Sequence, residues 1–225
     1  AWELSRRDLA LAMSAADLAA LPAEAGLVGA VGKRPTVATT DFALATRVGT
    51  ADFASVADAE CTPYGRLSAA VGLGDTAVVL TGAADLEDVL VGSAALLGDE
   101  LVRIDSIDAT TGAVTLGRGC VDTAPVAHAA DTPVWLYERQ IGIDPVFRTA
   151  GQTVNAKLLT RTSGAQLDLA DAPTSSVTLA SRAARPYLPG RVRIAGVAAP
   201  AAVSGEIGIA WAHRNALTQA GDLVD

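Results

Sequence analysis

The sequence predicts a mainly β protein, in which an N-terminal helix packs on a β-rich domain and a small barrel-like β module is inserted into that domain. Three observations carry the prediction. Apolar and polar residues alternate over residues 101–107 (LVRIDSI), the period of a half-buried strand, and residues 113–116 (AVTL) return as its partner after a short polar turn. From Gly26 onward the chain falls into short apolar pieces separated by Gly, Pro, Thr and Asp, the punctuation of strands and turns. Hydrophobic residues make up 50% of the chain but aromatic ones only 4%, and the abundance of alanine and valine suits thin β layers better than a deep aromatic pocket.

Ser5 stands as the N-cap of a helical pattern, with Asp8 at the third helical position as the acidic partner of a capping box. Leu4, Leu9, Leu11, Leu18 and Leu21, with several alanines, carry one amphipathic helix as far as Pro22. Such a helix reads as a packing element lying on a sheet. Residues 36–48 and 52–60 follow as strands around Phe42, Leu44, Phe53 and Val56, Pro63-Tyr64-Gly65 as a turn, and 76–80 (TAVVL) as a further strand. Over 84–91, acidic residues interrupt Leu86, Val89 and Leu90, a pattern that fits a helical turn or an edge strand. The hairpin turns at 108–112 (DATTG), where short polar side chains bond their own backbone and Gly112 supplies a positive φ.

Gly117-Arg118-Gly119 marks a bulge or sharp bend, with Arg118 as an ion-pair anchor. A loop without helical or strand period runs on to Pro133, and 134–137 close the module as a strand carrying Trp135 and Tyr137. Residues 140–145 connect to a strand over 153–161, Ser163-Gly164 turns the chain, and 175–180 is extended again. Pro186 and Pro189 stiffen 185–190 into a linker. Residues 191–195 are extended, 198–202 a loop, and 206–212 place Ile207, Ile209 and Trp211 on one face, the pattern of a sandwich-core strand. On this order, residues 5–71 and 147–180 pack together, with the barrel-like module over 75–138 between them.

The 225 residues suffice for one large or two small domains with real cores. A net charge of −8 argues against a nucleic-acid-binding surface, because the 17 basic residues are scattered and phosphate neutralisation needs them clustered. Their nearest approach to a cluster is Arg182, Arg185, Arg191 and Arg193. No apolar run reaches the roughly 20 residues that span a bilayer. Cys61 and Cys120 can pair only if the fold brings them together, and in a reducing cytoplasm both remain thiols. The chain opens on Ala1-Trp2, inside a helix-like pattern and without an initiator Met, and reads as a piece of a longer polypeptide.

Few residues invite chemistry. His128 stands in a loop with Cys120 and Asp122, a nucleophile-like trio by residue type, yet no family-specific nucleophile motif surrounds it, and a loop-filling role fits the histidine better. His213, after Trp211, reads as structural too. Asp99, Glu100, Asp105 and Asp108 lack the spacing of a calcium loop and read as a solvated charged edge. The two G-x-G pairs, Gly72/Gly74 and Gly117/Gly119, precede no helix and so fail as phosphate loops. The sequence therefore assigns no catalytic, cofactor-binding or metal-ligating residue, and no cofactor.

The segments 98–103 (GDELVR), 114–120 (VTLGRGC), Asp122-Thr123, 128–130 (HAA) and Val134-Trp135 stand in an order that resembles a recurrent module of phage tail proteins. The family is the host-specificity-type tail-tip and baseplate-hub proteins of long-tailed bacteriophages. Residues 41–47 (DFALATR) and 61–67 (CTPYGRL) are similar to the region before that module; 153–162 (TVNAKLLTRT) and 182–194 (RAARPYLPGRVRI) are similar to the region after it. Residues 209–225 look like the opening strands of a fibronectin-type-III-like domain. The resemblance implies a hub-like domain over 1–74 and 139–190, the inserted module over 75–138, and the truncated beginning of a fibronectin-III-like sandwich over 191–225.

The resemblance also implies a non-enzymatic structural protein of the virion, built into the tail tip or baseplate hub after assembly in the host cytoplasm. Its expected partners are other phage tail proteins and copies of itself, commonly as a trimer, together with a host surface receptor or glycan. Neither nucleic acid nor a membrane-spanning segment is expected. A second reading is a cell-surface glycan-binding module in which Trp135, Tyr137 and Tyr187 stack on sugars. A third, a cell-envelope hydrolase with an Asp, a Glu or His128 as acid or base, requires a cleft with two carboxyls at catalytic separation.

Overall fold

The computed structural model describes residues 1–138, 140–198, 200–223 and 225. Residues 139, 199 and 224, which fall in the predicted hub-like segment, the loop of 198–202 and the fibronectin-like segment, lie outside the described residues. The protein is mainly β, and its strands divide between two compact units, Ala1–Pro63 with Tyr137–Arg185 and Tyr64–Leu136 with Pro186–Asp225. In chain order the first unit begins with β1 (Trp2–Glu3), helices α1 (Arg6–Ala12) and α2 (Ala15–Ala20), β2 (Ala25–Ala30), β3 (Thr39–Val48) and β4 (Ala54–Glu60). The second unit follows with β5 (Tyr64–Leu67), β6 (Ala77–Ala84), β7 (Ala94–Leu97), β8 (Glu100–Asp108), β9 (Ala113–Gly117) and β10 (Pro133–Trp135). The first unit resumes with β11 (Gly142–Thr149), β12 (Thr153–Thr162) and β13 (Ser175–Thr178), and the second with β14 (Gly190–Ile194) and β15 (Ile209–Ala212).

In the first unit a three-stranded sheet runs β1-β2-β11 and a four-stranded sheet runs β13-β12-β3-β4. The strand β3 lies inside its sheet, paired antiparallel to β12 and β4. Alternation sends Phe42 and Leu44 to one face, where they meet Ala30 and Ala156. Ala43 and Ala45 go to the other, where they meet Leu159 and Ala172. Both faces are covered, so β3 reads as a continuous apolar run rather than an alternating one. A polar exception sits beside it. Asp144, wholly buried, accepts from Thr46 Oγ1 at 2.8 Å, the Val146 N–H at 3.0 Å and Arg148 Nη2 at 3.0 Å, which offsets the cost of burying its charge.

The Ser5–Asp8 capping box forms as the sequence predicts. The single helix to Pro22 does not. Met13 adopts extended geometry at the end of α1, and Ser14 starts α2 as a second N-cap, its hydroxyl accepting from the Asp17 N–H. The pattern that looked like one helix is two short ones, because a capping serine competes with the helix interior. Strands were hidden as well: β1, β2, β7 and β11. Ala25–Ala30 and Gly142–Thr149 pair with each other, so residues 140–145 are no mere connector.

In the second unit β5 to β10 form a closed barrel of order β10-β5-β6-β9-β8-β7. Its interior is filled by apolar side chains, among them Leu67, Val78, Leu80, Leu97, Val102, Ile104, Leu116 and Val134. The predicted hairpin is β8 and β9, turned at Asp108, whose Oδ1 accepts from the Thr110 and Thr111 N–H groups, with Gly112 at φ 72. Pro63-Tyr64-Gly65 is not a turn: Tyr64 and Gly65 begin β5. The ambiguous 84–91 contains a 3-10 turn at Leu86–Asp88. The closing strand ends at Trp135, one face of which meets Tyr64 across the register at 4.5 Å between ring centroids.

Residues 186–190 of the expected stiff linker are held down within this unit, since Tyr187 is buried and its hydroxyl donates to Ala220 O at 3.2 Å. β14 and β15 form a two-stranded sheet. Ile207, Ile209 and Trp211 are exposed, Trp211 at 61%, so residues 206–212 are not a covered core strand. The surface of a lone strand pair has nothing packed over it among the described residues to bury that face. No helix among them is long and apolar enough to cross a membrane.

Candidate functional site

The most concentrated chemistry in the chain is a buried ionic knot inside the barrel unit, centred on Glu100. Glu100 opens β8 two and four residues ahead of Val102 and Ile104, which line the barrel interior, so strand parity turns its carboxylate inward. Arg118 comes from the bend after β9. Its Nε and Nη2 donate to the two oxygens of Glu100, each at 2.8 Å, in a bidentate pair. The remaining donors go to Gly72 O at 3.2 Å, Asp75 O at 2.7 Å and Val126 O at 2.6 Å. A guanidinium has five N–H groups, and Arg118 uses all of them.

Glu100 is equally occupied. Besides Arg118 it accepts from the Gly119 N–H at 2.7 Å, the Val126 N–H at 3.2 Å and His128 Nε2 at 2.9 Å. Burial pushes its carboxyl up, but the hydrogen bonds from Arg118 and His128 outweigh that and hold it below the ordinary carboxylate range. His128 is fixed from its backbone too, bridging Val71 in both directions at 2.9 Å. The knot thus ties the turn at 72–75, the start of β8, the bend at 117–119 and the loop at 126–128 into one body.

The bend itself is strained. Gly119 has φ 61 and a Cβ there would overlap the Pro125 ring, while Val121, β-branched and buried, is held at φ 60. Thr123 secures the following turn by donating to Cys120 O at 2.8 Å and accepting from the Leu101 N–H at 3.1 Å.

The predicted site residues fall in different places. The reading of Arg118 as an ion-pair anchor and of His128 as a loop-filling residue matches the geometry. The solvated acidic edge is corrected at Glu100, which is buried. Of its neighbours, Asp105 pairs with Arg103, Asp108 caps its own turn, and Asp99 is exposed. No group of three or more His, Cys, Asp or Glu side chains able to hold a metal occurs among the described residues.

Cys120 and His128 are engaged separately, the thiol with Gly117 O at 3.5 Å and the imidazole with Glu100. Burial pushes the Cys120 thiol up to about 12, far from the thiolate a nucleophile requires. Both cysteines are buried thiols, not joined in a disulfide. Gly72 and Gly74 belong to a turn in which Asp75 Oδ2 accepts from the Gly72 N–H at 2.7 Å. The sequence reading missed Glu100, although its parity with Val102 and Ile104 was there to be read.

No protein-family model matches the sequence, and no curated protein matches it. The site's character therefore rests on its geometry. The carboxylate of Glu100 and the guanidinium of Arg118 spend their hydrogen bonds within the knot, which makes the pair a fastening between these segments.

Of the aromatic residues expected to stack on sugars, Tyr137 and Tyr187 are buried, and Trp135 is half-buried against Tyr64. Tyr137 packs in the first unit, edge-on to Trp2 with ring centroids 5.0 Å apart, and donates its hydroxyl to Asp8 Oδ1 at 3.0 Å.

Proposed function

We propose that this protein is a structural component of a phage tail tip or baseplate hub, acting in tail assembly and in positioning host attachment. The observation that carries the reading is the barrel's placement in the chain. It forms from one continuous excursion between β4 and β11, while β3 and β12 of the first unit pair with each other across that excursion. Its first and last strands are neighbours, Tyr64 opposite Trp135, so the module leaves and returns at one point. The order of motifs over 98–135 supplies the family, and the knot of Glu100, Arg118 and His128 gives those motifs a fastening role in place of a catalytic one.

In this reading the chain works without chemistry of its own. It assembles as a homo-oligomer, a trimer by the family's habit, with other tail proteins on its surfaces. β14 and β15 are the opening strands of a fibronectin-III-like sandwich, for which Val192, Ile209 and Trp211 offer the apolar face a sandwich sheet carries. The deciding experiment is mass spectrometry of purified virions from a strain carrying the gene, with immunogold labelling of the intact particles. The peptide in the virion and gold at the distal end of the tail are expected. Particles that lack the polypeptide, or carry the label only on the capsid, overturn the assignment.

A further inference from the structure

Beyond any role in assembly, the geometry points to an oxyanion-binding pocket in the barrel unit, built by arginines of β14 and of the segment that follows β15. The cavity has a volume of about 350 Å³, and its lining includes Arg118, Arg191, Arg193, Arg214 and Asp225. Arg118 contributes no net charge, because Glu100 neutralises it and all its donors are taken. That leaves Arg191, Arg193 and Arg214 in the lining together with Asp225 and its side-chain carboxylate. Asp225 is itself shared, since its Oδ1 lies 3.1 Å from Arg191 Nη2 and 3.0 Å from Nη1 of Arg103 behind it.

A local excess of positive charge is conspicuous in a chain of net charge −8. It is also held in place. Arg214 is buried, with Nε donating to Leu188 O and Nη1 to Gly119 O at 2.8 Å, which fixes its plane at the wall. Arg191 is held at φ 48, an unfavourable conformation for a residue with a side chain. Arg193 has its Nη1 on Gly196 O at 3.1 Å and keeps the rest of its fork exposed. Guanidinium forks of this kind match carboxylate and phosphate oxygens in pairs. The ligand class is a small oxyanion, carboxylate or phosphate, borne by a free molecule or by a larger partner, with Asp225 as the internal competitor.

The test is calorimetric titration of the whole chain with sodium phosphate and, separately, with sodium acetate, at ionic strength held constant with chloride. Saturable binding of phosphate, of acetate or of both is expected, and the pattern says whether the natural group is a phosphate, a carboxylate or either. Arg191→Ala with Arg193→Ala, at exposed positions, is expected to weaken it by about tenfold or more while circular dichroism stays that of the parent. Asp225→Asn is expected to tighten it. No saturation with either anion, or unchanged affinity in the double variant, overturns the site.

Discussion

Glu100 and Arg118 show how a buried charge pair becomes a constraint rather than a reward. Two ions taken out of water repay their desolvation only when every remaining donor and acceptor is satisfied, and here they are. Removing one partner strands the other: Glu100→Gln is expected to cost about 3–5 kcal/mol of barrel stability in urea unfolding, and a loss within about 0.5 kcal/mol would show that the knot is incidental.

The pair also sets a pH dependence. The Glu100 carboxyl ionises below its ordinary value of 4.5 in the fold, so the unfolded chain binds that proton more tightly. Its stabilisation is complete above that ordinary value and is lost as pH falls through the lowered one. Urea midpoints measured from pH 7 to pH 3 should therefore fall for the parent more than for Glu100→Gln, and parallel curves would refute the linkage. The thiols give a separate check: with Cys120 pushed up to about 12 and both cysteines buried, iodoacetamide at pH 8 should label neither until denaturant is added. Rapid native labelling of Cys120 would contradict the burial.

At the scale of elements, local chemistry that closes on itself was legible and chemistry that depends on distant strands was not. The Ser5–Asp8 capping box and the 108–112 turn are complete within a few residues, so their spacing identified them. β2 and β11 are Gly-bearing pieces, the second with a proline, that pair with each other far apart in sequence, a non-local contact that periodicity cannot carry. Ile209 and Trp211 alternate as a core strand would, yet alternation reports which residues share a face and not whether anything covers it. Glycine positions in the knot separate the two kinds of information experimentally. Gly119→Ala meets both a positive φ and the Pro125 ring and should cost about 2 kcal/mol or more. Gly74→Ala, with open space around it and no positive φ, should stay within about 0.5 kcal/mol by thermal melting. Equal effects would mean that the bend is not held where it is drawn.

For the whole molecule, the decisive property is that the barrel's excursion begins and ends on paired residues. Tyr64 and Trp135 face each other in adjacent antiparallel strands, and in the first unit Thr62 Oγ1 donates to Gln140 O at 2.7 Å, so the two cut ends of that unit already lie together. The first unit's cores, around Phe42 and Leu44, around Ala43 and Leu159, and around Val28 and Val154, draw on residues outside 64–136. A short Gly-Ser link in place of 64–136, with the chain stopped at Arg185, closes a small loop, and loop closure costs little when the ends are near. The shortened protein is expected to keep a β-type circular dichroism spectrum and one cooperative melt, with amide protection along β3 and β12. A molten, unprotected product would mean that the first unit needs the barrel in order to fold, and the two would then be one cooperative body despite their separate cores.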